Sequence, residues 1–324
     1  MKTRTIRGGV MLTEVGLGTS QLGNLYTETS EEAAADVIST AWQGGIRYFD
    51  TAPHYGLGLS ERRLGSLLKQ YPRDEYVLST KVGRLLVPNP GGDRQQDTEG
   101  FAVPATHVRR WDLSRDGIRR SITESLDRLG LDRIDVAYLH DPDGMEDEAI
   151  RTALPALVEL REEGILRAVG AGMNHAAPLT RFVRETDIDV VMVAGRMTLL
   201  DRSALDDLVP AALENGVSVV AAGVYNSGIL ATRRPDPGAR YDYAPADQRL
   251  ISTASGLADA CEASGVELPE AALQFPLGQP AVASVVVGAR NGTQVRSALE
   301  RYAADIPEGL WPLLAGMEQA ATLE

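Results

Sequence analysis

Three apolar runs in this chain end on residues that can handle a proton, and a fourth such residue follows the first of them closely. Tyr48-Phe49 leads into Asp50, and Tyr55 comes after the short stretch Thr51-Ala52-Pro53-His54. Val77-Leu78-Ser79-Thr80 ends on Lys81, and the run from Ile134 ends on His140. This set suits hydride transfer to or from a carbonyl carbon, with Tyr55 moving the matching proton. A free phenol ionises only near pH ~10, so it is idle at neutral pH unless its surroundings activate it. The Lys81 ammonium is expected to stabilise the phenolate and lower its pKa, because an opposite charge favours the ionised form. Asp50 is expected to hold that lysine. His140 is expected to donate a hydrogen bond to the substrate oxygen, where negative charge develops. No metal is required.

For these residues to meet, the runs carrying them must end at one place. Eight short apolar runs close in polar or glycine-rich loops: Glu14 to Gly18, Ile46 to Asp50, Tyr76 to Lys81, Ile134 to His140, Ala168 to Gly172, Val190 to Ala194, Val217 to Ala222 and Ala283 to Gly288. Each is followed by a segment of helical character, which predicts an α/β chain folded as a (β/α)8 TIM barrel rather than an open doubly wound sheet. In such a barrel the C-terminal strand ends share one mouth.

Helix boundaries support the alternation. Thr29-Ser30-Glu31-Glu32 reads as a capping box before an alanine-rich helix ending at Gly44-Gly45. Ser114 reads as the cap of Arg115 to Leu129, stopped at Gly130, while Leu154 to Glu163 stops at Gly164 and Leu205 to Asn215 at Gly216. Thr3 to Arg7 and Val10 to Leu12 flank Gly8-Gly9, which predicts an N-terminal β-hairpin closing the bottom of the barrel. Two long stretches, Arg84 to Arg110 after the third run and Arg233 to Asp247 after the seventh, read as irregular loops at the mouth. Neither a repeat nor a linker is visible, so residues 1–324 are expected to form a single barrel domain.

Bulk properties narrow the partners. At 324 residues, with 44% hydrophobic and 24% charged residues, core material is ample. A formal charge of -13 disfavours nucleic acid and anionic membrane, and no window approaches the roughly twenty apolar residues of a spanning helix. The lone Cys261 cannot form an internal disulfide, and Met1 to Thr5 lacks a signal-peptide pattern, so the expected location is cytoplasmic. A small-molecule substrate and a monomer or small homo-oligomer complete this expectation.

Other residues have ordinary readings beside the chemical ones. His54 reads equally as pocket lining or as structure, His107 as solvated, and His175 as bordering a cofactor; no spacing among the four histidines suits zinc. Gly170-Ala171-Gly172 lacks the third glycine of a dinucleotide fingerprint, since His175 stands there, and reads as a tight turn. Cys261 reads as a buried helix residue, and Met145 to Glu148 as a solvated helix start. Trp111 and Phe101 flank the long loop, able either to stack on a sugar ring or to anchor the loop. Aromatic residues make up only 5% of the chain, which favours a polar substrate over a polycyclic one.

The chain resembles the aldo-keto reductases along essentially its full length. Gly16-Leu17-Gly18-Thr19-Ser20, Asp50-Thr51-Ala52-Pro53-His54-Tyr55-Gly56, Ser79-Thr80-Lys81 and Tyr138-Leu139-His140 carry the likeness. It implies a catalytic tetrad of Asp50, Tyr55, Lys81 and His140 and a nicotinamide cofactor, NAD or NADP. Gly83 to Pro88, Arg110 to Gly117, Leu139 to Asp143 and Ala194 to Leu200 resemble the subgroup that oxidises L-fucose or D-threo-aldoses at C1, which also contains pyridoxal dehydrogenases. The resemblance implies cofactor contacts from Gly18, Thr19, Asp50 and Asn174. It adds Tyr225, Asn226, Ser227 and Gly228 at the pyrophosphate, with Gly288, Ala289, Arg290 and Gln294 on the adenosine side. Substrate contacts fall to His54, Tyr55, His140 and Trp111. Gly172-Met173-Asn174, Ala194, Met197 and Ala298 depart from the family pattern and leave the choice between NAD and NADP open. Aldehyde or ketone reduction, a nicotinamide-binding redox sensor and a metal-dependent hydrolase stand as alternatives.

Overall fold

A computed structural model describes residues 1–242 and 244–317. All eight apolar runs become parallel strands, and they close into one barrel. In chain order the strands are Val15–Gly18, Tyr48–Asp50, Val77–Val82, Val136–His140, Ala168–Met173, Val190–Ala194, Ser218–Ala222 and Val282–Gly288. Their residues are buried on both faces, which is why the runs are apolar without alternation. Inward side chains such as Tyr48, Val77, Tyr138, Val190 and Val220 fill the barrel, while outward ones pack beneath the helices.

The N-terminal hairpin pairs Thr3–Ile6 with Val10–Thr13. Its connection is Arg7–Gly9, one residue longer than the two-glycine turn the sequence suggests, with Gly8 and Gly9 both at positive φ. Ile6, Val10 and Leu12 join the inner cluster and plug the bottom.

Helices Glu31–Gln43, Leu59–Leu68, Arg115–Leu129, Leu154–Glu162, Ala176–Glu185 and Leu208–Asn215 follow the first six strands. Ser114 caps its helix as expected, accepting from the Gly117 amide at 3.0 Å. The capping box at Thr29 is not formed. Ser30 is the cap, accepting from the Ala33 amide, because the Thr29 hydroxyl instead donates to the Gln21 carbonyl at 2.9 Å. The acidic run opens the short helix Glu146–Glu148, which continues through a wide turn at Ala149–Ala153 into Leu154–Glu162. Helix Gln248–Ala263 carries the buried Cys261, whose thiol burial pushes up to about 11.

The two long stretches at the mouth are more ordered than their composition suggests. Arg84–Pro88 pairs antiparallel with His107–Trp111, and Arg240–Tyr241 with Ala244–Pro245. Local prolines and glycines hide these pairings because they interrupt the periodicity that marks longer strands. The first insertion is stitched across the mouth to the loop after the first strand. There the Tyr26 amide donates to Gly100 O at 2.7 Å and the Ala102 amide to Asn24 O at 2.8 Å.

Candidate active site

Strand register explains how the proton-handling residues converge. Asp50 pairs with Ser79, Lys81 with Tyr138 and His140 with Gly172, so each strand carries its functional residue two positions beyond the inward residue level with its neighbour's. Side chains two apart share a face, and Tyr48/Asp50, Ser79/Lys81 and Tyr138/His140 are therefore inward pairs. The lower members form a polar floor: the Tyr48 and Tyr138 hydroxyls stand 3.1 Å apart, and Ser79 Oγ donates to Asp50 Oδ1 at 2.6 Å.

On that floor Lys81 Nζ donates to Asp50 Oδ2 at 2.6 Å and to the Thr51 carbonyl at 3.1 Å, with both charged side chains almost wholly buried. The same ammonium lies 4.9 Å from the centre of the Tyr55 ring. His140 meets that ring edge-on, with centroids 5.9 Å apart. Burial lowers the ammonium pKa, but Asp50 and then Tyr55 more than reverse this, so Lys81 is held above its usual range and stays charged.

Tyr55 corrects one expectation. Burial raises its pKa more than Lys81 lowers it, and Asp50 raises it further, so the phenol sits above its ordinary value and is protonated. His140 is held well below the usual histidine range by burial and by Arg84 and Lys81, hence neutral. His54 is pushed down to about 3 by burial, Arg109 and Arg84. A neutral imidazole can still donate one hydrogen bond.

Tyr55 is placed by backbone contact. A Cβ on Gly23 would lie 2.6 Å from the Tyr55 carbonyl carbon, and one on Gly56 only 2.2 Å from Gly23 O. The loops after the first and second strands are thus pressed together with no room for a methyl group. Gly23→Ala should therefore displace Tyr55 and lower kcat roughly 10–100-fold. Steady-state kinetics beside a thermal melt would check it; an unchanged kcat would show that the loop gives way elsewhere. Thr19, Thr51 and Ser60 reinforce the junction: Ser60 Oγ lies 2.8 Å from Thr19 Oγ1 and 2.9 Å from Thr51 Oγ1, and Thr19 Oγ1 donates to Asp50 O at 2.9 Å.

Above these residues opens a cavity of about 600 Å³. Asp50, Tyr55, Lys81, His140, His54, Gly18, Thr19 and Asn174 line it. Of the two loop aromatics, the structure places Phe101 in the wall, its ring 5.2 Å from His54 and 6.0 Å from Tyr55. Trp111 lies outside the lining, 38% exposed, with the Arg84 guanidinium 4.6 Å from its ring centre. His107 bonds Thr106 Oγ1 at 3.0 Å, and the exposed His175 pairs with Asp143 at 2.8 Å; neither reaches the cavity.

A groove of about 410 Å³ adjoins the cavity, sharing Asn174, Gln21 and Gly288 and lined by Tyr225, Asn226, Ser227 and Gly228. Asn226 and Ser227 hold positive φ values of 43° and 55°, a conformation that costs energy in a non-glycine residue and is concentrated at functional sites. Asn226 Nδ2 donates to Gly195 O at 3.0 Å, while its buried Oδ1 has no partner among the described residues. An unpaired acceptor beside this groove fits a ribose hydroxyl of a nicotinamide dinucleotide. Ala289, Arg290 and Gln294 stand outside this lining. The Arg290 guanidinium is engaged by the carbonyls of Leu25 and Thr27, and Gln294 Oε1 accepts from the Arg290 amide at 2.8 Å.

Sequence reasoning missed Asp141, Gln21, Tyr26, Met192 and Arg240 in the cavity wall. Period two along the strands identifies Met192 as inward, and Asp141 adjoins His140 in the Leu139 to Asp143 stretch, but nothing local marks Gln21, Tyr26 or Arg240, which arrive from other parts of the chain.

A closed α/β barrel whose strand ends bring a buried lysine–aspartate pair under a tyrosine, beside a neutral histidine and an adjoining groove, defines a class of nicotinamide-dependent oxidoreductases. The chain belongs to the aldo/keto reductase family, whose pattern matches residues 14–311. It is 48% identical to a D-threo-aldose 1-dehydrogenase from Pseudomonas sp, over 95% of this chain and 94% of that one. It is 36% identical to a pyridoxal 4-dehydrogenase from Microbacterium luteolum, over 95% and 94% of the two chains. A solved aldo-keto reductase from Bacillus halodurans, in its holo form, superposes with a TM-score of 0.81 at 29% identity, covering 100% of this chain and 98% of that one. The protein is thus an NAD(P)-dependent oxidoreductase. Among its described residues no helix is long and apolar enough to cross a membrane.

Proposed function

We propose that the protein oxidises an aldose at C1 to the lactone, with Tyr55 as the group that takes the hydroxyl proton. The observation that carries this reading is the buried contact of Lys81 with Asp50 at 2.6 Å beneath the Tyr55 ring, at the floor of a cavity to which Ser20, Gln21, Asp141 and Asn174 contribute polar groups. An oxidised nicotinamide, held by Asn174 and the Tyr225–Gly228 turn, would supply the hydride acceptor for the hydrogen leaving C1. Tyr55, as phenolate, takes the proton from the C1 hydroxyl; the C–H and O–H bonds are broken and the C1–O bond becomes the lactone carbonyl. Lys81 stabilises the phenolate, Asp50 keeps the ammonium in place, and His140 donates to the C1 oxygen. Similarity to D-threo-aldose 1-dehydrogenase supports the sugar, and similarity to pyridoxal 4-dehydrogenase favours pyridoxal as a second substrate. Asn174 and the Tyr225–Gly228 turn would hold the cofactor. Cytoplasmic residence, one barrel domain and a monomer or small homo-oligomer belong to the same proposal.

Incubating the protein with NAD or NADP and a panel of L-fucose, L-galactose, D-threo-aldoses and pyridoxal, while following reduced nicotinamide by its absorbance, tests it. Production with an aldose is expected; production with none, alongside brisk aldehyde reduction, would sink the dehydrogenase direction.

The pH dependence follows from the titrating group. Oxidation needs the phenolate, and Tyr55 is held above its ordinary value, so kcat/KM should climb about tenfold per pH unit from pH ~6 to ~9. His140 and His54 are neutral throughout that window, so no break is expected near the usual histidine value. A bell centred near neutrality would assign the base to a histidine instead.

A further inference from the structure

We propose that Asp141 selects polyhydroxylated substrates by accepting a hydrogen bond from the hydroxyl next to the reacting carbon; this rests on the aldose reading above. Asp141 follows His140 directly and lines the cavity. Its Oδ2 stands 3.4 Å from His140 Nε2, so the carboxylate and the imidazole share one part of the cavity wall. A substrate oxygen held by His140 carries its neighbouring hydroxyl alongside, within reach of a carboxylate set beside that imidazole.

The carboxylate is available for such a bond. Arg84 Nη2 approaches Oδ2 at 3.2 Å through a single contact, and no described residue donates to Oδ1. This is not the two-pronged pairing of a structural arginine–carboxylate clamp, which would use both oxygens. Arg84 is backed by the Trp111 ring at 4.6 Å, so it supplies charge from behind and leaves the cavity side open. Burial holds the Asp141 pKa above the ordinary carboxylate value, and Arg84 opposes part of that rise.

The backbone points the same way. Asp141 holds a φ of 41°, rare for a residue with a side chain, and its amide donates to Gly172 O at 2.9 Å on the next strand. Such a conformation costs free energy that the packing of the barrel must offset. Here it sets a carboxylate beside His140 rather than letting the loop leave the mouth. Trp111 then acts as a support for Arg84 instead of stacking on sugar.

The test is a cycle crossing enzyme and substrate changes in the full-length protein. Wild type and Asp141→Asn are each assayed with L-fucose and 2-deoxy-L-fucose, or with L-galactose and its 2-deoxy form. Removing the hydroxyl should cost wild type about 10–100-fold in kcat/KM, chiefly through KM, as expected when a buried charged acceptor loses its donor. The same deletion should cost the Asn variant less than about threefold. Asp141→Glu, which keeps the charge, should recover part of the discrimination, and its melting profile shows that any loss is not one of folding. An equal penalty in wild type and Asn variant overturns the proposal and leaves the aldose reading standing. If wild type oxidises no aldose, both fall together.

Discussion

Tyr55→Phe should remove turnover while sparing nicotinamide binding, lowering kcat by about 10²–10⁴-fold in both directions. The change deletes one oxygen and keeps the ring that packs against Phe101 and stands edge-on to His140. Little else in the cavity moves, because the Gly23–Gly56 approach fixes Tyr55 through its backbone. The groove lined by Asn174 and Tyr225 to Gly228 is untouched, so cofactor affinity, read by fluorescence titration, should stay within about threefold, as for a site whose contacts are unchanged. The residual rate reports what His140, the cofactor and positioning achieve without a proton relay. Retention of a third or more of the wild-type rate would mean that another group moves the proton. Among the described lining residues His140 and His54 are the imidazoles, and both are held neutral.

Much of this site was legible because barrels turn strand order into spatial order. Asp50, Lys81 and His140 end consecutive strands, and inward positions recur every second residue, so the sequence alone placed them together. The helix cap at Ser114 and the stop at Gly130 were visible for a similarly local reason. What stayed hidden depends on contacts far apart in the chain. Phe101 and Trp111 look equivalent in sequence. The pairing of Arg84–Pro88 with His107–Trp111 leaves Trp111 outside the cavity wall against Arg84, and the bridge from Leu25 to Phe101 brings the other ring inside. The Tyr55 pKa was misjudged because charge partners can be read from a motif, whereas burial is the sum of every loop covering the mouth. Arg290 likewise suits a phosphate by type, yet the carbonyls of Leu25 and Thr27, more than 260 positions away, take its guanidinium.

Lys81 carries both stability and chemistry, and two variants separate them. Lys81→Met leaves Asp50 buried with Ser79 as its remaining side-chain partner, so stability should fall by about 3–5 kcal/mol, the range for breaking a buried ion pair from one side. Adding Asp50→Asn removes the uncompensated charge, and the double variant should regain most of that loss. The sign with pH is fixed by the raised Lys81 pKa. Stabilisation by the pair is fully present below the unfolded lysine value of ~10.4 and is lost as pH rises through the higher folded value. Wild-type melting temperature should therefore be insensitive to this pair from neutrality to about pH 10. Turnover behaves differently. Neither variant has an ammonium beneath the phenol, so each should lose about 10²–10⁴-fold in kcat, and the alkaline rise in kcat/KM should move to still higher pH as the phenolate loses its counter-charge. Chemical denaturation and pH–rate profiles on the same preparations check both halves. A double variant that recovers turnover along with stability would reduce Lys81 to a structural partner of Asp50; recovery of stability alone leaves it as the group that makes Tyr55 a usable base.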